Sequence, residues 1–310
     1  MKVLLMGGTG WLGHEIALQL AAKGIDFTIL SRGQKPQFAD KVSQFPTIVA
    51  DKKDDAAMRE VFKTRWTHII DTVPTEPSIA LVKKYCGDIA HYIHCSSTGG
   101  YAPLPFVPCN ETAPYNGFAK STGWDKKRIY DETVMDFFNR EGFPATVIRP
   151  CYITGPGMLP LDNLGGRRTE FISDIYHEKV LDVPVDGQSL LQPIHVYDLA
   201  TSFVLALENP RTAIGQTYNI CLDYAVPLNR YLEINAAVFG KKPVINYMRI
   251  DDLLEKYGRE DETGLRFVAT HMCFTIEKAK RDLGYKPHCT PEEAIEETAL
   301  WAAKVTGVIK

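Results

Sequence analysis

The chain contains no Cys-x-x-Cys pair, no run of about 20 apolar residues and no marked excess of either charge. Each absence excludes something. Without paired cysteines there is no zinc framework, so no metal is expected. The seven cysteines (86, 95, 109, 151, 221, 273 and 289) are scattered, an odd count that suits reduced thiols in a cytoplasmic protein. Without a long apolar run no membrane-spanning helix is expected. The apolar residues at the N-terminus are used by a first strand, which leaves no separate signal region. Thirty-five basic against 38 acidic residues give a net charge of −3, which calls for neither a nucleic-acid nor a membrane partner. Internal repeats and low-complexity segments are also missing.

What is present begins at once. Lys2–Met6 reads as a short buried strand. Glycines follow at Gly7, Gly10 and Gly13, with Thr9, Trp11 and Leu12 between them, and an apolar helical pattern runs from Ile16 to Ala22. A strand, a tight glycine turn and a helix start let backbone N–H groups approach a pyrophosphate with no side chain in the way. Further strands are expected at Phe27–Leu30, Thr47–Val49, His68–Ile70, Ile93–Cys95 and Thr146–Ile148. Helices are expected at Gly10–Lys23, Asp55–Lys63, Ser78–Cys86 and Ser121–Arg140. Alternating strands and helices imply an α/β fold: a doubly wound parallel Rossmann sheet. Past Pro150 the rhythm changes, with helices expected at Arg167–His177, Val196–Leu207, Leu228–Phe239, Ile276–Leu283 and Pro291–Thr306. Residues 1–155 therefore form the dinucleotide-binding domain, with 190–220 returning to it. Residues 156–189 and 221–310 form a smaller C-terminal substrate lobe.

Four features together resemble the extended short-chain dehydrogenase/reductase superfamily, in its epimerase/dehydratase branch. They are Thr9-Gly10-x-x-Gly13, Ser96-Ser97 before Tyr101, Arg149-Pro150 with Gly155-Pro156, and His195-Val196-Tyr197-Asp198-Leu199-Ala200. The resemblance spans nearly the whole chain. It implies a bound dinucleotide held by Gly7, Thr9, Gly10, Trp11, Leu12 and Gly13. Strand two ends in Ser31-Arg32, with no acidic residue to hold a ribose 2′-hydroxyl. Arg32 instead offers donors suited to a 2′-phosphate, with Lys35 nearby, so NADP is expected rather than NAD. Asp51 resembles the acidic residue that bonds the adenine amino group in the family; a surface turn aspartate is the other reading.

The family pairs a serine or threonine with Tyr-x-x-x-Lys on the following helix. Ser97 lies four residues before Tyr101 and fits the serine. The helix Ser121–Arg140 puts Lys127 at the lysine position and Gly123 where the tyrosine belongs. A phenol acid/base is therefore missing. The C-terminal half is most similar to an atypical group, the chloroplast stem-loop RNA-binding proteins and their bacterial relatives, on Arg149-Pro-x-Tyr152-Ile-x-Gly-Pro, Pro193-Ile-His-Val-Tyr-Asp-Leu and Tyr218-Asn-Ile.

Tyr101, Tyr152, His195 and Cys95 sit at strand ends where a replacement group would be needed, each with packing or structural hydrogen bonding as its bland alternative. Arg167 and Arg168 offer bidentate donors for a substrate phosphate or carboxylate. Gln192, and with less reason Gln188, are placed beside the same cleft. The resulting expectation is an NADP-binding epimerase/dehydratase-like oxidoreductase. Its partner is a small molecule, anionic or sugar-like: a nucleotide-linked or phosphorylated sugar. Ser97 holds the reacting oxygen and Lys127 the ribose. The rival reading is a non-redox dinucleotide-binding regulatory or RNA-binding protein. The resemblance also implies a homodimer through the Ser121–Arg140 helix.

Overall fold

The computed structural model describes residues 1–34, 37–115, 123–258 and 262–309. The first half builds β1 (Val3–Met6), α1 (Trp11–Ala22), β2 (Phe27–Ser31), β3 (Thr47–Val49), α2 (Asp55–Val61) and β4 (His68–Asp71). It continues with α3 (Glu76–Tyr85), β5 (His91–Cys95), α4 (Gly123–Glu141) and β6 (Ala145–Pro150). The second half adds β7 (Tyr152–Thr154), α5 (Glu170–Tyr176), β8 (Val180–Pro184), β9 (Leu190–Leu191) and β10 (Pro193–His195). Then come α6 (Val196–Glu208), α7 (Pro210–Ala213), β11 (Gln216–Ile220), β12 (Val226–Pro227) and α8 (Leu228–Ala237). The chain ends with β13 (Val244–Met248), α9 (Ile250–Tyr257), α10 (Glu262–Ala269), α11 (Glu277–Leu283) and α12 (Pro291–Val305).

Seven parallel strands form one sheet in the order β11-β6-β5-β4-β1-β2-β3. Alternation along β1 shows how it is covered on both faces. Val3 and Leu5 pack into a core with Ile16, Leu20 and Phe203 of α1 and α6. Leu4 and Met6 pack into a second core with Met58, Ile79, Val82 and Val134 of α2, α3 and α4. Both faces of an internal parallel strand are dry, so its residues are continuously apolar. This is the doubly wound Rossmann arrangement. The winding reverses between β1 and β4, and such a reversal opens a crevice at the strands' C-terminal ends.

Three two-stranded pieces lie outside that sheet: β7 with β10, β9 with β12, and β8 with β13. The helix expected at Arg167–His177 shortens to α5. The Asp162 carboxylate is the cause. It accepts the backbone N–H groups of Leu164, Gly166 and Arg168 and wraps residues 162–168 into a loop. Among the described residues, no helix is long and apolar enough to cross a membrane.

The expectation of seven reduced thiols needs correction. Cys151 and Cys221 are joined by a disulfide, and the other five cysteines are free. β6 and β11 pair with Pro150 opposite Ile220, so the next residue on each strand is a cysteine. Their Cα atoms are 5.5 Å apart, within disulfide range. The pairing spans 70 residues of sequence and has no local signature.

Candidate active site

The glycine turn is fixed by close contacts. Gly7 has φ +87°, and a β-carbon there would lie 2.4 Å from Thr72 Oγ1. A β-carbon at Gly13 would lie 2.1 Å from the Gly7 carbonyl oxygen, so only glycine lets α1 rest on the turn. Gly10 caps α1 without a side-chain hydrogen bond, which leaves the first-turn amides without a side-chain acceptor. The Trp11 indole donates to Pro156 O at 2.9 Å and ties the turn to the Gly155-Pro156-Gly157 loop. Leu12 is buried in the core, so only its backbone faces the turn.

A cavity of about 310 Å³ opens above this turn, at the C-terminal ends of β1, β2, β3 and β4. Gly7, Thr9, Gly10, Ser31, Arg32 and Asp51 line it. Arg32 is exposed and has no ion-pair partner among the described residues. Asp51 accepts the Lys53 N–H at 2.9 Å. Lys35 lies outside the described residues. Two further basic residues that sequence reasoning missed, Lys52 and Lys53, stand on the same rim. Lys52 Nζ is bonded to the buried Asp71 carboxylate at 2.6 Å, whereas Arg32 remains available to a ligand. The cavity and the glycine cradle fit a dinucleotide.

A second cavity, about 430 Å³, lies at the C-terminal ends of β5 and β6 and reaches α10. Its wall includes Ser97, Cys151, Tyr152, Arg167, Thr263 and Phe267. Ser97 begins a short 3-10 turn, its hydroxyl accepting the Gly99 N–H at 3.1 Å. Lys127 Nζ donates to Cys95 O at 3.4 Å, which puts it at the same strand end. Gly123 opens α4, as the register with Lys127 requires. Tyr152 is buried, and its hydroxyl has no hydrogen-bond partner among the described residues. Burial holds that phenol well above its ordinary pKa, so it stays a hydrogen-bond donor at neutral pH.

Several sequence candidates are bonded to other parts of the chain. Tyr101 is fully buried and away from both cavities; its hydroxyl meets Arg149 Nη1, and burial pushes it up to about 12. His195 is the N-cap of α6: Nδ1 accepts the Tyr197 N–H and Nε2 pairs with Glu297 at 3.0 Å. Gln192 is buried, donating to Leu222 O and accepting from Phe274 N, so it faces no cleft. Arg168 is held by Asp162 and Asn163 outside the cavity. Arg167 does line the cavity, but its Nη atoms donate to Leu159 O and Ile153 O. Cys95 is buried, and burial pushes its thiol up to about 11.

Beneath Ser97 lies a network the sequence did not reveal. Asp131 of α4 accepts from His94 Nε2 (3.0 Å), Ser96 Oγ (2.8 Å) and Arg149 Nε (2.9 Å). Burial alone would raise its pKa. The His94 hydrogen bond and the Arg149 charge outweigh that and hold it below the usual carboxylate range. The Tyr115 ring lies under Arg149, 3.8 Å from the guanidinium carbon to the ring centre. Its hydroxyl donates to Ser97 O, so the buried charge pair reaches the serine through one aromatic ring.

Residues 79–221 match the model of the NAD dependent epimerase/dehydratase family. That match covers 143 of the chain's 310 residues, so it is a likeness over part of the chain. It is 25% identical to the chloroplast stem-loop binding protein of 41 kDa b of Arabidopsis thaliana, over 96% of this chain and 78% of that one. It is 25% identical to a 3-beta-hydroxysteroid dehydrogenase of Mycolicibacterium neoaurum, over 96% and 90% of the two chains. Its fold is that of the dTDP-glucose 4,6-dehydratase of Bacillus anthracis solved with NAD: TM-score 0.76 at 17% identity, covering 98% and 97% of the two chains.

Proposed function

We propose that this protein is an NADP-preferring oxidoreductase of the epimerase/dehydratase type, acting on a nucleotide-linked or phosphorylated sugar. One observation carries the reading. Both cavities open along the same C-terminal edge of one sheet, the glycine turn and Arg32 in one, Ser97 and Tyr152 in the other. Bound NADP would supply a hydride acceptor and donor at that edge. Arg32 binds the 2′-phosphate, and Lys127, beside Cys95 O, holds the nicotinamide ribose. Ser97 donates to the substrate oxygen at the reacting carbon. Tyr152, unpartnered and protonated, donates a second hydrogen bond there, and a water in the cavity carries the proton that the family's tyrosine would carry. A substrate phosphate fits the Arg167 end of the cavity. The dTDP-glucose dehydratase of the same fold supports a sugar nucleotide as the substrate class.

The test is a pair of titrations, NADPH and NADH, on wild type and Arg32→Ala, with native mass spectrometry of the purified protein. Charge-assisted hydrogen bonds to the 2′-phosphate are worth about 1.5–3 kcal/mol, so NADPH is expected to bind about 10–100-fold tighter, and Arg32→Ala to erase the difference. Equal affinities, or a variant that keeps its preference, reject the NADP assignment. A protein that binds RNA and no dinucleotide replaces the enzyme reading with a binding one.

A further inference from the structure

Away from both cavities, three side chains with different donor atoms converge. Asp198 lies in the first turn of α6, and His288 and Cys289 lie in the connection between α11 and α12. A carboxylate oxygen, a ring nitrogen and Sγ from these residues all lie within 4.8 Å of one another. The arrangement is built from the inside. Asp198 is 1% exposed, and its Oδ1 accepts the His288 backbone N–H at 3.0 Å. That bond fixes the carboxylate plane. Oδ2 then receives no hydrogen bond of good geometry, although His288 Nδ1 stands 2.9 Å away. Asp198 Oδ2 and His288 Nδ1 thus already converge as an ion pair, at a point where a cation could take the place of the ring proton.

The surroundings are orienting groups. The His195 ring packs edge-on against His288 at 4.8 Å, and the Tyr197 ring does so at 4.9 Å. His195 is itself fixed by the Tyr197 N–H and Glu297. His288 is therefore held between two rings while its Nδ1 faces Asp198.

We propose that Asp198, His288 and Cys289 bind one divalent transition-metal ion of the zinc class, with water in the fourth position. The donor set selects the class: a thiolate and an imidazole favour zinc or cobalt over magnesium or calcium, which prefer all-oxygen sites. Ligands bound at 2.0–2.3 Å in a tetrahedron lie about 3.2–3.8 Å apart. Closing the present spread takes a shift of about 1 Å, which falls on the partly exposed connection carrying His288 and Cys289 rather than on the buried Asp198. The bound ion would staple the C-terminal connection to the start of α6. The sequence hides the site because its first ligand lies 90 residues before its second.

The experiment uses the full chain, free of any affinity tag, stripped with a chelator and kept reduced. It is titrated with Zn²⁺ alone and with Co²⁺ alone. One ion per chain is expected, with a thiolate-to-cobalt charge-transfer band in the near ultraviolet and a Tm that rises on adding zinc. Cys289→Ser should lose the band, and His288→Gln should weaken zinc by about 10-fold or more. Cys273→Ser, at a free cysteine outside the cluster, should leave both unchanged. Circular dichroism checks that each variant folds. The proposal is overturned if the wild type takes up no stoichiometric metal. It is equally overturned if Cys289→Ser keeps the band, or if His288→Gln binds zinc as tightly as wild type. In either case Asp198 and His288 are only an ion pair.

Discussion

Replacing Asp131 by alanine tests the network under Ser97 most directly. The carboxylate is 1% exposed and holds His94, Ser96 and Arg149 at once. Arg149 is 8% exposed and has Tyr101 and Tyr115 as its other partners, neither of them charged. Removing Asp131 thus leaves a buried guanidinium without a counter-charge, a loss of about 3–5 kcal/mol. A chain of this size stands about 5–15 kcal/mol above its unfolded state, so the loss is a large fraction. At about 2–4 °C per kcal/mol the Tm should fall by about 6–20 °C. The double variant Asp131→Leu/Arg149→Met removes both charges, and replacing a whole buried pair by apolar groups is often close to neutral. It should melt above Asp131→Ala.

The same carboxylate sets an acid limit. Its folded pKa lies below its unfolded value, so its contribution is complete above the unfolded pKa, about 4, and is lost as pH falls through the folded one. Asp131→Asn should flatten the stability curve in that acid window and leave the slope at neutral pH unchanged. Thermal melts from pH 3 to 8 on wild type, these three variants and the single variants Asp131→Leu and Arg149→Met would read all of this. The reasoning is refuted if Asp131→Ala costs less than about 1 kcal/mol, or if the double variant loses the sum of both single losses.

Other outcomes follow from the two cavities. Gly13→Ala puts a methyl group 2.1 Å from the Gly7 carbonyl and should displace α1 from the turn, lowering both stability and dinucleotide affinity; calorimetry and a melt would separate the two. At Gly10 a β-carbon clears the backbone at 3.4 Å, so Gly10→Val should leave the melt near wild type and abolish dinucleotide binding; a folded variant that binds normally would move the cofactor elsewhere. Once a substrate is in hand, Ser97→Ala should lower turnover by about 10²–10⁴-fold with little change in dinucleotide affinity, whereas Lys127→Ala should weaken both. Tyr152→Phe should reduce turnover without destabilising the fold, because the hydroxyl it removes has no protein partner.

Much of the architecture could be read in advance for physical reasons. Buried parallel strands are unbroken apolar runs, and the glycine turn has a spacing forced by backbone contact, as Gly7 and Gly13 show. The pieces that escaped notice are short. β9 and β12 have two residues each, and their pairing comes from tertiary packing rather than from local propensity. The Asp162 turn that trimmed the helix at Arg167 likewise depends on one carboxylate capturing three amides.

The surroundings of the candidate residues were legible only in part, and the departures share one cause. Tyr101, His195, Gln192 and Arg168 were chosen because polar groups near strand ends can meet a ligand. Each instead meets another part of the chain: Arg149, Glu297, the Phe274 amide and Asp162 respectively. Those partners lie 48, 102, 82 and 6 residues away, so a pattern of residue types cannot reveal them. Tyr115 shows the converse. Ala119, not a lysine, follows it at the fourth position, yet the fold brings its hydroxyl to the Ser97 carbonyl. A polar residue becomes a candidate for ligand chemistry when the folded chain leaves it unsatisfied while burying it. In the Ser97 cavity the Tyr152 hydroxyl meets that condition. At the start of α6 the Asp198 carboxylate is buried with His288 Nδ1 2.9 Å away and Cys289 beside it. The free hydroxyl is why the first is assigned to substrate, and the convergence of three donor types is why the second is assigned to a metal ion. The two assignments are separable: Tyr152→Phe should leave zinc uptake untouched, and Cys289→Ser should leave dinucleotide affinity untouched.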